Sequence, residues 1–293
     1  MNTSRLKPIL IAGPTASGKS ALALQLARDR GGRIINADSM QVYRELRILS
    51  ARPSLDEEAQ APHALYGHVS AAEPYSVARW LADVALALVA AAIAGETPII
   101  VGGTGLYFRA LGEGLSPIPP IPDDIRRHWR GEAQRLGAAG LHVVLAKRDP
   151  VMADRLEPSD AQRVTRALEV LEATGRSLAD WQREPGTPLL NFAEAECLLV
   201  RPSREVLRAR CDQRFDQMIA AGALDEVRAL VALGLPPDAP VMRALGVPPL
   251  ARHLAGEQSL EQAVEQAKAE TRQYLKRQET WIRSKMNSWI IVQ

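Results

Sequence analysis

The sequence predicts an α/β fold: a parallel sheet with helices on both faces, plus a mostly helical insertion. Three observations lead there. Short apolar runs ending in glycine or aspartate alternate with stretches of helical periodicity over residues 8–101. A proline-rich break, Ser116–Asp123 (SPIPPIPD), interrupts the alternation. A further apolar run, Cys197–Val200, then returns after a long helical stretch.

Taken in order, Pro8–Ala12 reads as a first buried strand ending at Gly13, and Ser17–Arg28 as a helix carrying Leu22, Leu24 and Leu26. Arg33–Ala37 reads as a second strand, closed by Asp38 and Ser39. A helix follows from about Val77 to Ala94, ended by Gly95 and Pro98. Pro98–Val101 is the third strand and opens into Gly102, Gly103, Thr104 and Gly105. All three loops belong to the carboxyl ends of strands, where open α/β sheets place their chemistry. Beyond the proline-rich hinge the chain is expected to be helical to about Pro188, with one strand at Leu141–Ala146. From Arg204 onward it is helical again, interrupted by Pro236, Pro237 and Pro240. The expected layout is a core of residues 1–116 and 190–293, with a helical insertion at 117–189.

Composition narrows the function classes. The chain of 293 residues is 46% hydrophobic but only 4% aromatic, so aliphatic side chains must build the core. Net charge is +2, which neither demands nor excludes nucleic acid. The basic residues are six lysines and thirty arginines, and arginine suits bidentate contact with phosphate. Cys197 and Cys211 form no CxxC, and the five histidines show no zinc-ligand spacing, so neither a disulfide framework nor a zinc site is expected. The start, MNTSRLKPILIAG, has too short an apolar run for a signal peptide. The longest apolar stretch, Val84–Ala94, is short for a bilayer span. A cytoplasmic protein without membrane attachment is the expectation.

Gly13-Pro14-Thr15-Ala16-Ser17-Gly18-Lys19-Ser20 matches GxxxxGK(S/T) in full, between a strand and a helix. Backbone N–H groups of such a loop turn inward around an anion, and the helix N-terminus adds positive charge. Lys19 would reach the terminal phosphate and the Ser20 hydroxyl would bind Mg2+. The fold is therefore expected to be P-loop NTPase-like, and the site to take a diphosphate or triphosphate. A hydrolase should add an apolar strand ending in a metal-binding aspartate. The nearest candidate, Ile34–Asp38, runs on as Ser39-Met40-Gln41-Val42-Tyr43, and no GTPase base-recognition signature is present. Asp38 could serve as a general base. The residues alone leave a small-molecule P-loop kinase and another group transfer both open.

Three segments together resemble the bacterial tRNA dimethylallyltransferases (tRNA isopentenyltransferases): GPTASGKS at 13–20, INADSMQVY at 35–43 and VGGTGLYF at 101–108. Two later ones agree, DAQRVTRALEVLEATGRS at 160–177 and TRQYLKRQETWIR at 271–283. The resemblance implies that the phosphate loop holds the diphosphate of dimethylallyl diphosphate, not ATP, with Mg2+ and Lys19 absorbing charge on the leaving group. It implies transfer to the exocyclic N6 of adenine 37, beside the anticodon of a tRNA. In that reaction Asp38 matches the general base, and Thr104 would hydrogen-bond the bridging or leaving oxygen. Asp38 could instead cap a helix or hold a metal-bound water, and Thr104 could cap the helix that follows it.

The adenine must be turned out of the anticodon loop to react, and the resemblance implies that it enters a channel and meets the diphosphate from the opposite side. Asp38, Ser39, Met40, Gln41 and Thr104 match tRNA-contacting positions there, with Gln41 able to read an adenine edge by paired hydrogen bonds. So do Gln162, Arg163, Val164, Thr165 and Arg166 in the insertion, and Lys276, Arg277, Gln278, Thr280, Trp281 and Arg283 near the carboxyl end. Residues 268–285 carry six basic and two acidic side chains on one expected helix, a composition suited to phosphate contacts and base stacking. Arg126 matches by approximate spacing. In Arg243-Ala244-Leu245-Gly246, Arg243 and Gly246 match tRNA-contacting positions too, and the match stops beyond them, because Val247 and Pro248 replace the Gly-Tyr-basic sequence typical of the family. The adenosine phosphate isopentenyltransferases share the chemistry but need no basic carboxyl-terminal helix. The expected partners are a tRNA anticodon stem-loop and dimethylallyl diphosphate, and the expected state is a monomer.

Overall fold

The computed structural model describes residues 6–292, so the first five residues of the amino-terminal stretch considered above lie outside the described residues. Two compact units divide the chain: residues 1–112 with 189–293, and the insertion, residues 113–188.

The first unit is built on a six-stranded, wholly parallel sheet among the described residues. Its strands are β1 (Ile9–Ala12), β2 (Gly32–Asn36), β3 (His63–Ala64), β4 (Thr97–Gly102), β5 (Glu196–Val200) and β6 (Ile290–Val292), in the order β3-β2-β4-β1-β5-β6. Side chains along each strand alternate between the two faces of the sheet. Ile9 and Ile11 pack on one face with Ala23 and Ala27 of helix α1 (Lys19–Arg30), while Leu10 and Ala12 face the opposite side. With both faces covered, β1 and β4 carry continuous apolar runs, as parallel strands do. In register, Ala12 pairs with Gly102 and Asn36 with Val101. The loops leaving β1, β2 and β4 therefore emerge side by side.

After a short turn capped by Ser54, α2 (Leu55–Glu58), the second face is covered by α3 (Val77–Ala94) and α4 (Gly105–Glu113). Trp80, fully buried on α3, stacks on Tyr107 with ring centroids 4.2 Å apart and donates its Nε1–H to the Asn36 carbonyl at 2.8 Å. As an 18-residue helix of mean hydropathy 1.9, α3 is long and apolar enough to cross a membrane. The apolar stretch Val84–Ala94 is short for a span, but the helix that carries it starts seven residues earlier, at Val77 as expected. Its buried side, Trp80, Val84, Ala87 and Ala91, packs on the sheet.

The insertion has its own core. Its helices are α5 (Asp123–Arg148), bent at Gly137, α6 (Pro150–Ala153), α7 (Ala161–Thr174) and α8 (Leu178–Trp181). The expected strand at Leu141–Ala146 is instead the last part of α5. Leu141 and Leu145, one helical turn apart, are buried beside Val164 and Leu168 of α7, while Val143 is exposed. The β-branched pair Val143-Val144 favours a strand locally, and packing of the 141/145 stripe overrides it.

The first unit resumes with α9 (Arg204–Ala220), α10 (Ala223–Val231), α11 (Val247–Leu254) and α12 (Leu260–Lys285). Pro248 and Pro249 sit in the first turn of α11, where a missing N–H costs nothing. Helices α9 and α12 pack antiparallel through Leu207, Cys211 and Leu275. Ion pairs join them at Asp216–Lys268 (2.8 Å), Asp212–Arg272 (2.9 Å) and Arg204–Glu279 (3.9 Å).

Candidate active site

The phosphate loop runs from buried Gly13 to Ser20 at the start of α1. Lys19 Nζ donates to the Pro14 carbonyl at 3.2 Å, folding the side chain back over its own loop. Burial pushes the Lys19 amine down to about 8, with nearby Arg214 adding to the effect and Asp38 opposing it. A cleft of about 390 Å³ lies over the loop, lined by residues 16–21 and, from α9, by Arg210, Gln213, Arg214 and Gln217. Arg214 donates to the Thr15 hydroxyl, and burial lowers its pKa as well. Two cations and the amides of a helix N-terminus thus converge on one polar cleft, the arrangement an oligophosphate requires.

The α9 groups were missed in the sequence. Their signal was a polar stripe, Arg210-Gln213-Arg214-Gln217, on a helix whose Leu207, Cys211 and Phe215 are buried.

Beside this loop, Asp38 forms a tight turn after β2. Its Oδ1 accepts the Met40 N–H at 2.9 Å and the Gln41 N–H at 3.4 Å, and Oδ2 has no protein partner among the described residues. Fully buried Asn36 fixes the turn from below: its Oδ1 accepts the Asp38 N–H at 2.8 Å, and its Nδ2 donates to the Asp38 carbonyl at 2.9 Å and the Leu65 carbonyl at 3.1 Å. Thr104 Oγ1 accepts the Ser39 N–H at 3.0 Å, so its hydroxyl spans two loops and does not cap α4. One carboxylate oxygen is held by the turn and the other has no hydrogen-bond partner among the described residues.

Helix α12 also reaches the site. Gln278, buried, accepts the Thr15 N–H with Oε1 at 2.9 Å and donates from Nε2 to the Gly103 carbonyl at 3.0 Å. One turn on, Trp281 lies flat against Gly105; a Cβ there would come within 2.4 Å of the indole. Gly102–Gly105, Phe108, Tyr274 and Trp281 help line a mainly apolar cavity of about 170 Å³ that reaches Gly13. The phosphate loop therefore borders a polar cleft on one stretch and an apolar cavity on another.

Several residues expected to contact RNA are placed otherwise. Gln278 is inside, its amide committed to the two loops. Gln41 donates both amide hydrogens to backbone, to Ser50 O at 3.0 Å and Ala51 O at 2.8 Å, so it has no donor left for an adenine edge. Val164 is fully buried in the insertion core, and the Thr165 hydroxyl donates to Ala161 O at 2.7 Å. Gly246 is buried at φ +88°, and a Cβ would press on Leu49 and Phe215 at 3.0 Å; it shapes the entry to α11.

Other expected positions are open. Gln162 and Arg163 are exposed at the start of α7, where Arg163 pairs with Asp160 at 2.7 Å. Arg166 pairs with Glu169 at 3.4 Å and Arg126 with Asp123 at 3.9 Å, each with a partly exposed side chain. Arg243, Lys276, Arg277, Thr280 and Arg283 are exposed, whereas Ser39, Met40 and Trp281 are half-buried.

Among the described residues no cluster of three His, Cys, Asp or Glu side chains could cage a metal ion. Ser20, exposed beside the cleft, presents a hydroxyl that could join a metal ion keeping most of its ligands from phosphate and water.

Comparison with known proteins identifies the family. A family model described as IPP transferase matches residues 41–285, and one described as isopentenyl transferase matches residues 6–67. The tRNA dimethylallyltransferase of Nitrobacter hamburgensis is 56% identical over 278 residues, 95% of this chain and 88% of that protein. That of Parvibaculum lavamentivorans is 54% identical over 285 residues, 97% of this chain and 90% of that one. Among solved structures, the tRNA isopentenylpyrophosphate transferase of Bacillus halodurans superposes with a TM-score of 0.68 at 31% identity, over 98% of this chain and 90% of that chain. A eukaryotic dimethylallyltransferase acting on tRNA gives 0.79 at 31% identity, over 94% and 69%. These matches favour prenyl transfer over the kinase that the residues alone left open. The chain belongs to the IPP transferase family, together with the tRNA dimethylallyltransferases.

Proposed function

We propose that this enzyme transfers the dimethylallyl group of dimethylallyl diphosphate to N6 of adenosine 37 in tRNA, releasing diphosphate. The observation that carries the reading is the free Oδ2 of Asp38, close enough to Lys19 to act on its charge and about 3.8 Å from where a Cβ on Gly103, a residue lining the apolar cavity, would stand. The diphosphate lies in the cleft with Lys19, Arg214 and the loop amides. The turned-out adenine and the dimethylallyl group share the apolar cavity, against Trp281 and Phe108. As the N6 lone pair forms the new C–N bond, the C–O bond to diphosphate breaks and the N6 proton passes to Asp38 Oδ2. Lys19 and the Thr104 hydroxyl stabilise the charge gathering on the departing oxygens.

A divalent ion, Mg2+ by the oxygen character of the donors, would be held by Ser20 Oγ and the diphosphate, and supplies further charge neutralisation to the leaving group. The exposed cations of α12 and of the insertion carry the tRNA backbone. All groups named come from one chain, consistent with a monomer, and the tRNA substrate argues for the cytoplasm.

The test is incubation of purified protein with unmodified anticodon stem-loop RNA and labelled dimethylallyl diphosphate, followed by nucleoside analysis. One dimethylallyl group on N6 of adenosine 37, absent when that base is guanosine, is expected. Label on another atom, or phosphate transfer from ATP without RNA, would overturn the reading.

A further inference from the structure

Helices α9 and α12 meet along a stripe of charged residues. On α9 it comprises every fourth residue: Arg204, Arg208, Asp212 and Asp216. On α12 it comprises Glu279, Lys276, Arg272 and Lys268, read in the reverse direction. Three rungs pair opposite charges, Arg204 with Glu279, Asp212 with Arg272 and Asp216 with Lys268. The antiparallel register, bracketed on both sides by these pairs, sets Arg208 opposite Lys276. That rung alone joins like charges. Both residues are exposed, and neither has a carboxylate partner among the described residues.

Like charges across a helix contact repel, and a glutamate at either position would have completed the ladder. The site is instead complementary to a third, anionic group. From Lys276 the exposed stripe of α12 continues one and two turns on to Thr280 and Arg283, so the anion belongs to an extended polymer and not to a lone ion. We propose that Arg208 and Lys276 together grip one backbone phosphate of the RNA substrate, making α9 part of the RNA-binding surface. Arg208 supplies a planar fork for two phosphate oxygens and Lys276 a point charge. The inference rests on the reading that the exposed face of α12 meets RNA.

The test uses the full chain carrying Arg208→Gln, Lys276→Gln, both together, or Arg208→Glu, with binding of unmodified anticodon stem-loop RNA followed over a salt series. Arg208→Gln is expected to weaken binding about tenfold at low salt. It should also flatten the slope of log K against log salt, by roughly 0.7 to 0.9 if the phosphate contact is lost entirely. The double variant should lose less than the product of the single losses, because the two side chains share one phosphate. Arg208→Glu should weaken RNA binding further while holding or raising the thermal midpoint, since it completes the ladder. Dimethylallyl diphosphate affinity should stay unchanged in all four.

If Arg208→Gln leaves RNA affinity and slope intact while Lys276→Gln weakens both, α9 is outside the RNA surface and the inference fails, with the wider reading standing. If neither matters, the reading of α12 falls as well. Weaker binding of inorganic phosphate with RNA binding unchanged would also overturn the proposal, as would a lowered thermal midpoint in Arg208→Glu.

Discussion

Gln278 joins α12 to the phosphate loop: its Oε1 accepts the Thr15 N–H at 2.9 Å, across 263 residues of sequence, while its Nε2 reaches the Gly103 carbonyl at 3.0 Å. One buried amide thereby fixes the spacing between the GxxxxGK(S/T) loop and the loop that carries Thr104.

Gln278→Met keeps the length of the side chain and removes both bonds. We expect kcat to fall roughly 10- to 100-fold, the equivalent of one to two buried hydrogen bonds, with RNA affinity near normal. Gel-shift titration and single-turnover rates separate the two effects. A large loss of RNA affinity with kcat unchanged would return Gln278 to the RNA surface.

Asp38→Asn preserves an oxygen for the Met40 and Gln41 N–H groups, so the turn should survive. Loss of the proton acceptor should slow the chemical step by about 10²- to 10⁴-fold with both substrate affinities kept. Single-turnover rates at several Mg2+ concentrations decide the role. A slow step that Mg2+ cannot rescue identifies the base, and full recovery at high Mg2+ moves Asp38 to the metal's water shell.

Lys19 gives the site a pH dependence whose sign follows from its environment. In the free enzyme the amine sits at about 8, below the ordinary value of 10.5, and a bound diphosphate favours the charged form and raises it. Binding above pH 8 should therefore take up a proton, and donor affinity should fall as pH rises through that range. Calorimetry in two buffers of different ionisation enthalpy measures the uptake. Lys19→Met should abolish it; uptake that persists in that variant assigns the proton to another group.

Gly105→Ala places a methyl group within 2.4 Å of the Trp281 ring. Displacing a packed indole costs about 1 to 3 kcal/mol, so the thermal midpoint should drop and the apolar cavity should lose its wall. Restored stability in Gly105→Ala combined with Trp281→Leu would confirm that the contact is the cause. An unchanged midpoint in Gly105→Ala would show that the ring moves freely.

What could be read in advance was what is written contiguously. Gly13–Ser20, Asp38 and Gly102–Gly105 follow strands whose apolar runs identify them, and adjacent parallel strands bring their carboxyl ends together. Short edge elements escaped: β3 has two residues, and β6 begins with Ile290 and Ile291, both exposed and without a core-facing pattern. Arg214 and the inward role of Gln278 were out of reach for a different reason. Each acts on Thr15 across 199 and 263 residues respectively, and no local word encodes a partner that distant. Gln278 stands within a basic run, so its neighbours suggested solvent while its position on the helix faced inward.

The span between Thr15 and Gln278 also orders events during synthesis. Ribosomes add about 5 to 20 residues per second, so the phosphate loop waits tens of seconds for the residue that braces it. Strand β1 waits too, because it lies between β4 and β5 and acquires the latter only after the insertion has been made. A nascent chain accordingly has the anion-binding segment without its clasp, and catalytic competence arrives late, when α12 docks.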